Sequence, residues 1–215
     1  MSKVIEQCQV APSTGSAAEL ILSLTYFDHM CLVLHRVLWV LFLKLRISKP
    51  DFVQNIIPHL KDSLSLVLKH YTPLSGNIVC PLDSSGYPEL CYVTEDFVSV
   101  SFNESDANFN FLIGNHQKDA KNFYSFVPQL GEPKDAPGVQ LGPVLAIQVT
   151  LFPNHVLSIG FTNHHVVGDG STIVGFIKAW VLLNQFNRDE QHLANEFVPF
   201  YERSIYFRIY IYEIV

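Results

Sequence analysis

The chain has 215 residues, 48% of them hydrophobic and 16% charged, with a formal net charge of −6 at pH 7. A charged fraction below the roughly 25% of ordinary domains, joined to this apolar content, excludes a disordered chain. The acidic balance argues against a nucleic-acid binder, which needs a basic surface to meet phosphates, and the length suits one large domain or two small ones.

Met1 to Cys8 contains no apolar run of the kind that opens a secretory signal, so a cytoplasmic location is expected. Lys3 to Val10 reads as an opening strand and residues 11–18 (APSTGSAA) as a small-residue loop. Leu20 to Leu45 is the one membrane candidate. Asp28, His29, His35, Arg36 and Lys44 break it into runs shorter than the roughly 20 residues of a span, so it reads as buried core and no membrane contact is expected. Ile57, Leu60, Leu64, Val67 and Tyr71 recur at spacings of three and four, the stripe of an amphipathic helix. Pro58 suits its first turn and Pro73 ends it. His59, Asp62 and His70 read as its solvated side. Short strands are expected at Asn77 to Cys80, Glu89 to Val93 and Phe97 to Phe102, with a turn at Ser84-Ser85-Gly86, and residues 131–143 read as a Gly/Pro-rich loop. Cys8, Cys31, Cys80 and Cys91 form no CxxC pair, which points to reduced, mostly buried thiols and to no metal site. Asn103-Glu104-Ser105 is a formal glycosylation sequon without a secretory context.

From Val144 the pattern sharpens. Leu145, Ile147, Val149 and Leu151 alternate with small or polar residues, Pro153-Asn154-His155 forms a turn, and Leu157, Ile159 and Phe161 repeat the alternation. This predicts a β-hairpin with one face in a core. After Gly170 the period turns helical, with Ile173, Phe176, Ile177, Trp180 and Val181 on one face. Residues 163–170 (NHHVVGDG) therefore join a strand to a helix, a frequent place for chemistry.

His165 and Asp169 frame that junction as H-x-x-x-D. An imidazole with a reference pKa near 6.5 can accept a proton at neutral pH, provided a hydroxyl lies within hydrogen-bond reach. Two plainer readings stand beside this one: Asp169 as the N-cap of the following helix, and His165 as a structural histidine at a strand end. Adjacent strand residues point to opposite faces, so His164 and His165 make an awkward ligand pair for a metal with Asp169 or His155. No G-x-S-x-G elbow, P-loop or G-x-G-x-x-G is present.

At these residues the sequence resembles the plant BAHD acyltransferases. His164-His165-Val166-Val167-Gly168-Asp169-Gly170 is similar to the HHxxxDG signature, and Leu24-Thr25-Tyr26-Phe27-Asp28 to an LTFFD segment. Leu60 to Tyr71, followed by Pro73-Leu74-Ser75-Gly76-Asn77, is similar to an LKxSLSLTLKHFYPLAGN stretch. Residues 104–110 and 149–154 also fit, and the details most resemble the branch that malonylates anthocyanins and phenolic glucosides. The resemblance implies a chloramphenicol-acetyltransferase-like fold of the α/β (α+β) class, a mixed sheet with flanking helices. It implies transfer of an acyl group from an acyl-CoA co-substrate, malonyl-CoA among the candidates, to a hydroxyl of a phenolic or flavonoid glycoside, with no bound cofactor. On that reading His165 matches the general base, and Asp169 an aspartate that orients the loop. Gly168 and Gly170 let the loop turn, and no acyl-enzyme forms.

The family's DFGWG and YFGNC-like motifs, which belong to its second half, do not occur. The expectation is an N-terminal acyltransferase domain over residues 1–204, a divergent tail over 205–215, and no C-terminal domain. An exposed domain interface would then favour self-association. The competing expectation is a truncated, inactive homologue acting at most as a binding fragment.

Overall fold

The computed structural model describes residues 2–15, 18–33, 36–83, 86–152, 156–193, 199 and 201. The expected turns at 84–85 and 153–155, His35, and the tail over 205–215 lie outside the described residues.

The strands form two five-stranded sheets. The first has the order β1-β6-β9-β10-β3, from Ser2–Val10, Val98–Ser105, Leu145–Phe152, Val156–Asn163 and Val37–Leu43. Its β6–β9 pair is parallel and its other pairs antiparallel, so the sheet is mixed, as expected. The second sheet, β2-β5-β4-β8-β7, is antiparallel throughout and comprises Leu20–Ser23, Glu89–Tyr92, Asn77–Pro81, Val139–Pro143 and Lys134–Ala136. Its last two strands correct the reading of residues 131–143 as a loop. Pro137 and Gly138 form a two-residue turn, with Gly138 at φ +78°, and the chain folds back on itself.

The helices are α1 (Tyr26–Leu32), α2 (Lys49–Asp51), α3 (Ile57–His70), α4 (Phe109–Ile113) and α5 (Gly170–Gln185). A π turn over Phe52–Ile56 links α2 to α3 without a break, so the helical run starts at Lys49 and Pro58 sits inside it. The missing N–H of Pro58 is absorbed beside the wider π turn. Ser48 caps the run by accepting the Asp51 N–H at 3.2 Å.

β9 and β10 are buried on both faces, which corrects the expectation of one. Each lies between two other strands of the first sheet. The odd residues Leu145, Ile147, Val149, Leu151, Leu157, Ile159 and Phe161 share a core with α3 and α5. The helices meet through polar groups as well. Trp180 Nε1 donates to Ser63 Oγ at 3.0 Å, and that hydroxyl turns back on the His59 carbonyl at 2.9 Å. On the opposite face, Phe152 and Val156 join Phe109, Leu112 and Phe126 in a second cluster, with Phe42 packed against it. The polar members of that face are satisfied by the chain that covers them. Gln148 Nε2 donates to the Ser125 carbonyl at 2.8 Å, and Thr162 Oγ1 donates to the Pro128 carbonyl.

Other expectations need correction. Leu20 to Leu45 is not buried core: Leu22 and Leu24 are buried, but Phe27 is 70% and Val33 87% exposed. The cause is position, since β3 forms an edge of the first sheet and α1 buries no residue completely. On α5 the buried face is Ile173, Phe176, Ala179, Trp180 and Leu183, while Val181 is exposed. His70 and Asp62 are partnered: His70 Nε2 lies 2.8 Å from Glu190 Oε2, and Arg188 donates to Asp62 at 2.5 Å. The four cysteines are free thiols and half-buried. Asn103 of the sequon is buried in β6. Among the described residues no helix is long and apolar enough to cross a membrane.

Candidate active site

The junction after β10 is built by four consecutive local devices. The His164 N–H donates to the Val144 carbonyl at 2.8 Å, which closes the hairpin ladder. His165–Val167 then makes a single 3-10 turn, anchored by the buried side chains of Val166 and Val167. Gly168 follows at φ +155°, where an added Cβ would lie 2.7 Å from Thr172 Cβ. Asp169 then caps α5. The sequence Val-Val-Gly-Asp thus reads as anchor, anchor, turn and cap, and it fixes the backbone on which His165 stands.

The Asp169 carboxylate is occupied by its helix. One oxygen accepts from the Ser171 hydroxyl at 2.7 Å, from the Thr172 N–H at 2.9 Å and from the Thr172 hydroxyl at 3.2 Å. The Ser171 hydroxyl, then the Thr172 N–H, hold its carboxyl below the usual carboxylate range. Among the described residues no hydrogen bond joins Asp169 to His165. Of the readings open at sequence level, this geometry is that of the N-cap.

His165 is half-buried, and its ring meets α1. Nδ1 lies 3.7 Å from Cys31 Sγ. α1 is set in place by a reciprocal cap at its start: the Thr25 N–H donates to Asp28 Oδ2 at 2.8 Å, and the Asp28 N–H donates to Thr25 Oγ1 at 3.3 Å. Burial pushes the Cys31 thiol up, and the neighbouring Asp28 carboxylate adds to that. Sequence reasoning missed Cys31. Its partner is 134 residues away, and a lone cysteine carries no spacing signal.

His164 has a different surrounding. Its Nδ1 accepts the Val166 N–H at 3.3 Å, and the residue lines a cleft of about 200 Å³ with Leu32, Arg36, Ile78 and Pro143. Burial, then the Arg36 guanidinium, push its pKa down, so the ring stays neutral at pH 7 and suits its acceptor role. A groove of about 740 Å³ lies elsewhere. It opens over β1, β6 and β9, is lined by Gln7, Gln9, Ser101, Asn103 and Gln148 among others, and includes neither His165 nor Asp169. Among the described residues no group of three His, Cys, Asp or Glu side chains could hold a metal ion.

The mixed sheet flanked by helices stands beside what the wider sequence comparison finds. The family profile described as the Transferase family matches residues 2–205. The chain therefore belongs to that family, the BAHD acyltransferases.

Among its relatives, phenolic glucoside malonyltransferase 1 of Nicotiana tabacum is 70% identical over 205 residues, covering 95% of this chain and 45% of the relative. Malonyl-coenzyme:anthocyanin 5-O-glucoside-6'''-O-malonyltransferase of Salvia splendens is 38% identical, covering 94% of this chain and 44% of the relative. The chain thus spans less than half the length of these curated relatives. Of the solved structures, vinorine synthase superposes with a TM-score of 0.69 at 19% identity, over 96% of this chain and 47% of that one. F. graminearum TRI101 complexed with ethyl coenzyme A does so with a TM-score of 0.56 at 12% identity, over 83% and 41%. Both likenesses establish the fold.

Proposed function

We propose that this chain is the N-terminal part of a cytoplasmic acyl-CoA-dependent O-acyltransferase that moves a malonyl or similar acyl group to a hydroxyl of a phenolic glucoside. The observation that carries the reading is the 70% identity over 205 residues to a phenolic glucoside malonyltransferase. In this reading Nε2 of His165 takes the proton of the acceptor hydroxyl as that oxygen attacks the thioester carbonyl. The tetrahedral intermediate collapses, the C–S bond breaks, and the departing CoA thiolate takes the proton from the imidazolium. The ester forms, and the histidine is restored with no bond to the protein. Asp169 contributes position: by capping α5 it fixes the Gly168 turn and, through it, the 3-10 turn that bears His165. Residues 1–204 form the N-terminal domain in this reading, and acyl-CoA and the glucoside are its partners. The apolar surface of α1 and β3 favours association with a second protein surface.

The experiment is CoA-thiol release by the purified chain with malonyl-CoA and a phenolic glucoside. Acceptor-dependent release is expected, and His165→Ala should lower it by about 10²-fold or more. Full turnover by that variant would overturn the role of His165. A second reading, an inactive homologue, is favoured by the lining of the 740 Å³ groove over β1, β6 and β9, which includes neither His165 nor Asp169. It expects no release from a folded chain, alone or supplemented with the remaining part of the Nicotiana relative.

A further inference from the structure

We propose that Cys31 is a positioning residue for His165: its sulfur accepts the Nδ1–H of the ring and so selects the tautomer whose Nε2 lone pair is free. The inference rests on the reading of His165 as the base, but it concerns a different property of the ring. A neutral imidazole carries one proton, and the nitrogen that holds it cannot accept another. Which nitrogen that is depends on what the other ring positions meet. The contact of Nδ1 with Cys31 Sγ at 3.7 Å is the only hydrogen bond the His165 ring makes among the described residues, so the sulfur is the hydrogen-bond partner that can bias the choice.

Three features of the surroundings fit this assignment. Cys31 stands on α1, whose start carries the Thr25–Asp28 cap, and it packs against the main core, while the 3-10 turn under His165 is anchored by two buried valines. The thiol is raised by burial and by the nearby Asp28 carboxylate, which opposes ionisation to a thiolate and keeps the pair from becoming thiolate and imidazolium. An ionised pair would leave the ring already protonated and useless as a base. Finally, an Nδ1–H donor is compatible with every stage: the bond persists when Nε2 takes a proton, because Nδ1 keeps its own.

The test reads the ring directly and needs no turnover. The chain is labelled with ¹⁵N-histidine, and long-range ¹H–¹⁵N spectra are recorded above the titration range of imidazole. His165 is assigned by the signals lost in His165→Ala. In the wild-type chain a pyrrole-like Nδ1 and a pyridine-like Nε2 are expected. Cys31→Ser, which keeps an acceptor, should retain that pattern. Cys31→Ala should lower the ratio of the Nδ1–H to the Nε2–H form about fivefold, the worth of one modest hydrogen bond. A wild-type ring with its proton on Nε2, or a Cys31→Ala ring with an unchanged tautomer, overturns the proposal. Should Cys31→Ala fail to fold, the wild-type and Cys31→Ser spectra still decide it. The base reading fails separately, through turnover retained in His165→Ala, and that result leaves the tautomer spectra as they are.

Discussion

Replacing Asp169 separates a structural aspartate from a proton-relaying one. Its carboxylate accepts three hydrogen bonds at the start of α5, a 16-residue helix, and one of these satisfies a backbone N–H of the first turn. Removing an N-cap side chain costs about 0.5–2 kcal/mol. Asp169 is exposed, so water re-solvates the freed hydroxyls and N–H, and the expected loss for Asp169→Ala stays within that range. For a chain of this size each kcal/mol corresponds to about 2–4 °C of Tm, so a fall of about 1–8 °C is expected. Asp169→Asn keeps an acceptor but loses the negative charge at the helix N-terminus, worth about 0.3–1 kcal/mol, and should fall between wild type and alanine.

The pH dependence has a definite sign. The folded-state pKa lies below the ordinary carboxylate value, so the charge-dependent stabilisation is fully present above the unfolded pKa of about 3.9. It is lost as pH falls through the lower folded value. The gap between wild type and Asp169→Asn should therefore be constant at neutral pH and close in acid. Urea unfolding followed by far-UV circular dichroism measures all three proteins at each pH. An alanine variant as stable as wild type would refute the cap as an energetic feature, and a gap that widens in acid would refute the charge argument. In thiol release, Asp169→Asn should retain more activity than Asp169→Ala. A relay aspartate holding a catalytic histidine in its tautomer behaves otherwise, since its asparagine variant loses about 10⁴-fold.

Two further substitutions test the packing beneath the site. Ser63→Ala removes the acceptor of the buried Trp180 N–H and should cost about 1–3 kcal/mol in urea unfolding; no loss would mean that the indole finds another partner. Gly160→Ala would place a methyl group 2.0 Å from the Phe126 carbonyl oxygen, so the covering segment must move. A loss of at least about 1–3 kcal/mol is expected, and wild-type stability would contradict the close approach of that segment to β10.

What was legible in the sequence was what a period or a local cap encodes. The stripe from Ile57 to Tyr71 and the alternation from Leu145 to Phe161 gave α3, β9 and β10, because burial of one face at a fixed spacing is a local property. The cap at Asp169 was legible as one of two readings, because its donors lie within three residues. Burial of the second face of β9 and β10 was not legible. It depends on a segment about 20 to 35 residues upstream, and small polar residues such as Gln148 and Thr162 serve as well under a covering chain as in water. The hairpin at 134–143 was hidden by the same Gly and Pro that make its turn. The contact between Cys31 and His165 was hidden by chain separation alone.

The position of His165 therefore has two supports of unequal strength. On its own side, the 3-10 turn is tied to the main core by Val166 and Val167 and to α5 by the Gly168–Asp169 turn and cap. On the other side stands α1, a seven-residue helix that buries no side chain completely and exposes Tyr26, Phe27 and Met30 by more than half. A helix this short is unstable alone and is ordered by what it packs on. Here that means the Thr25–Asp28 cap, the turn bearing His165, and the main core, against which Cys31 and Leu32 pack. The backbone of the histidine is thus held from the core side, whereas its ring contacts a short helix whose outer side is exposed. A surface that covers the apolar outer side of α1 would steady Cys31, and through Cys31 the ring, without touching the histidine. If His165 is the base proposed above, covering the outer side of α1 and orienting that ring are coupled through one short helix.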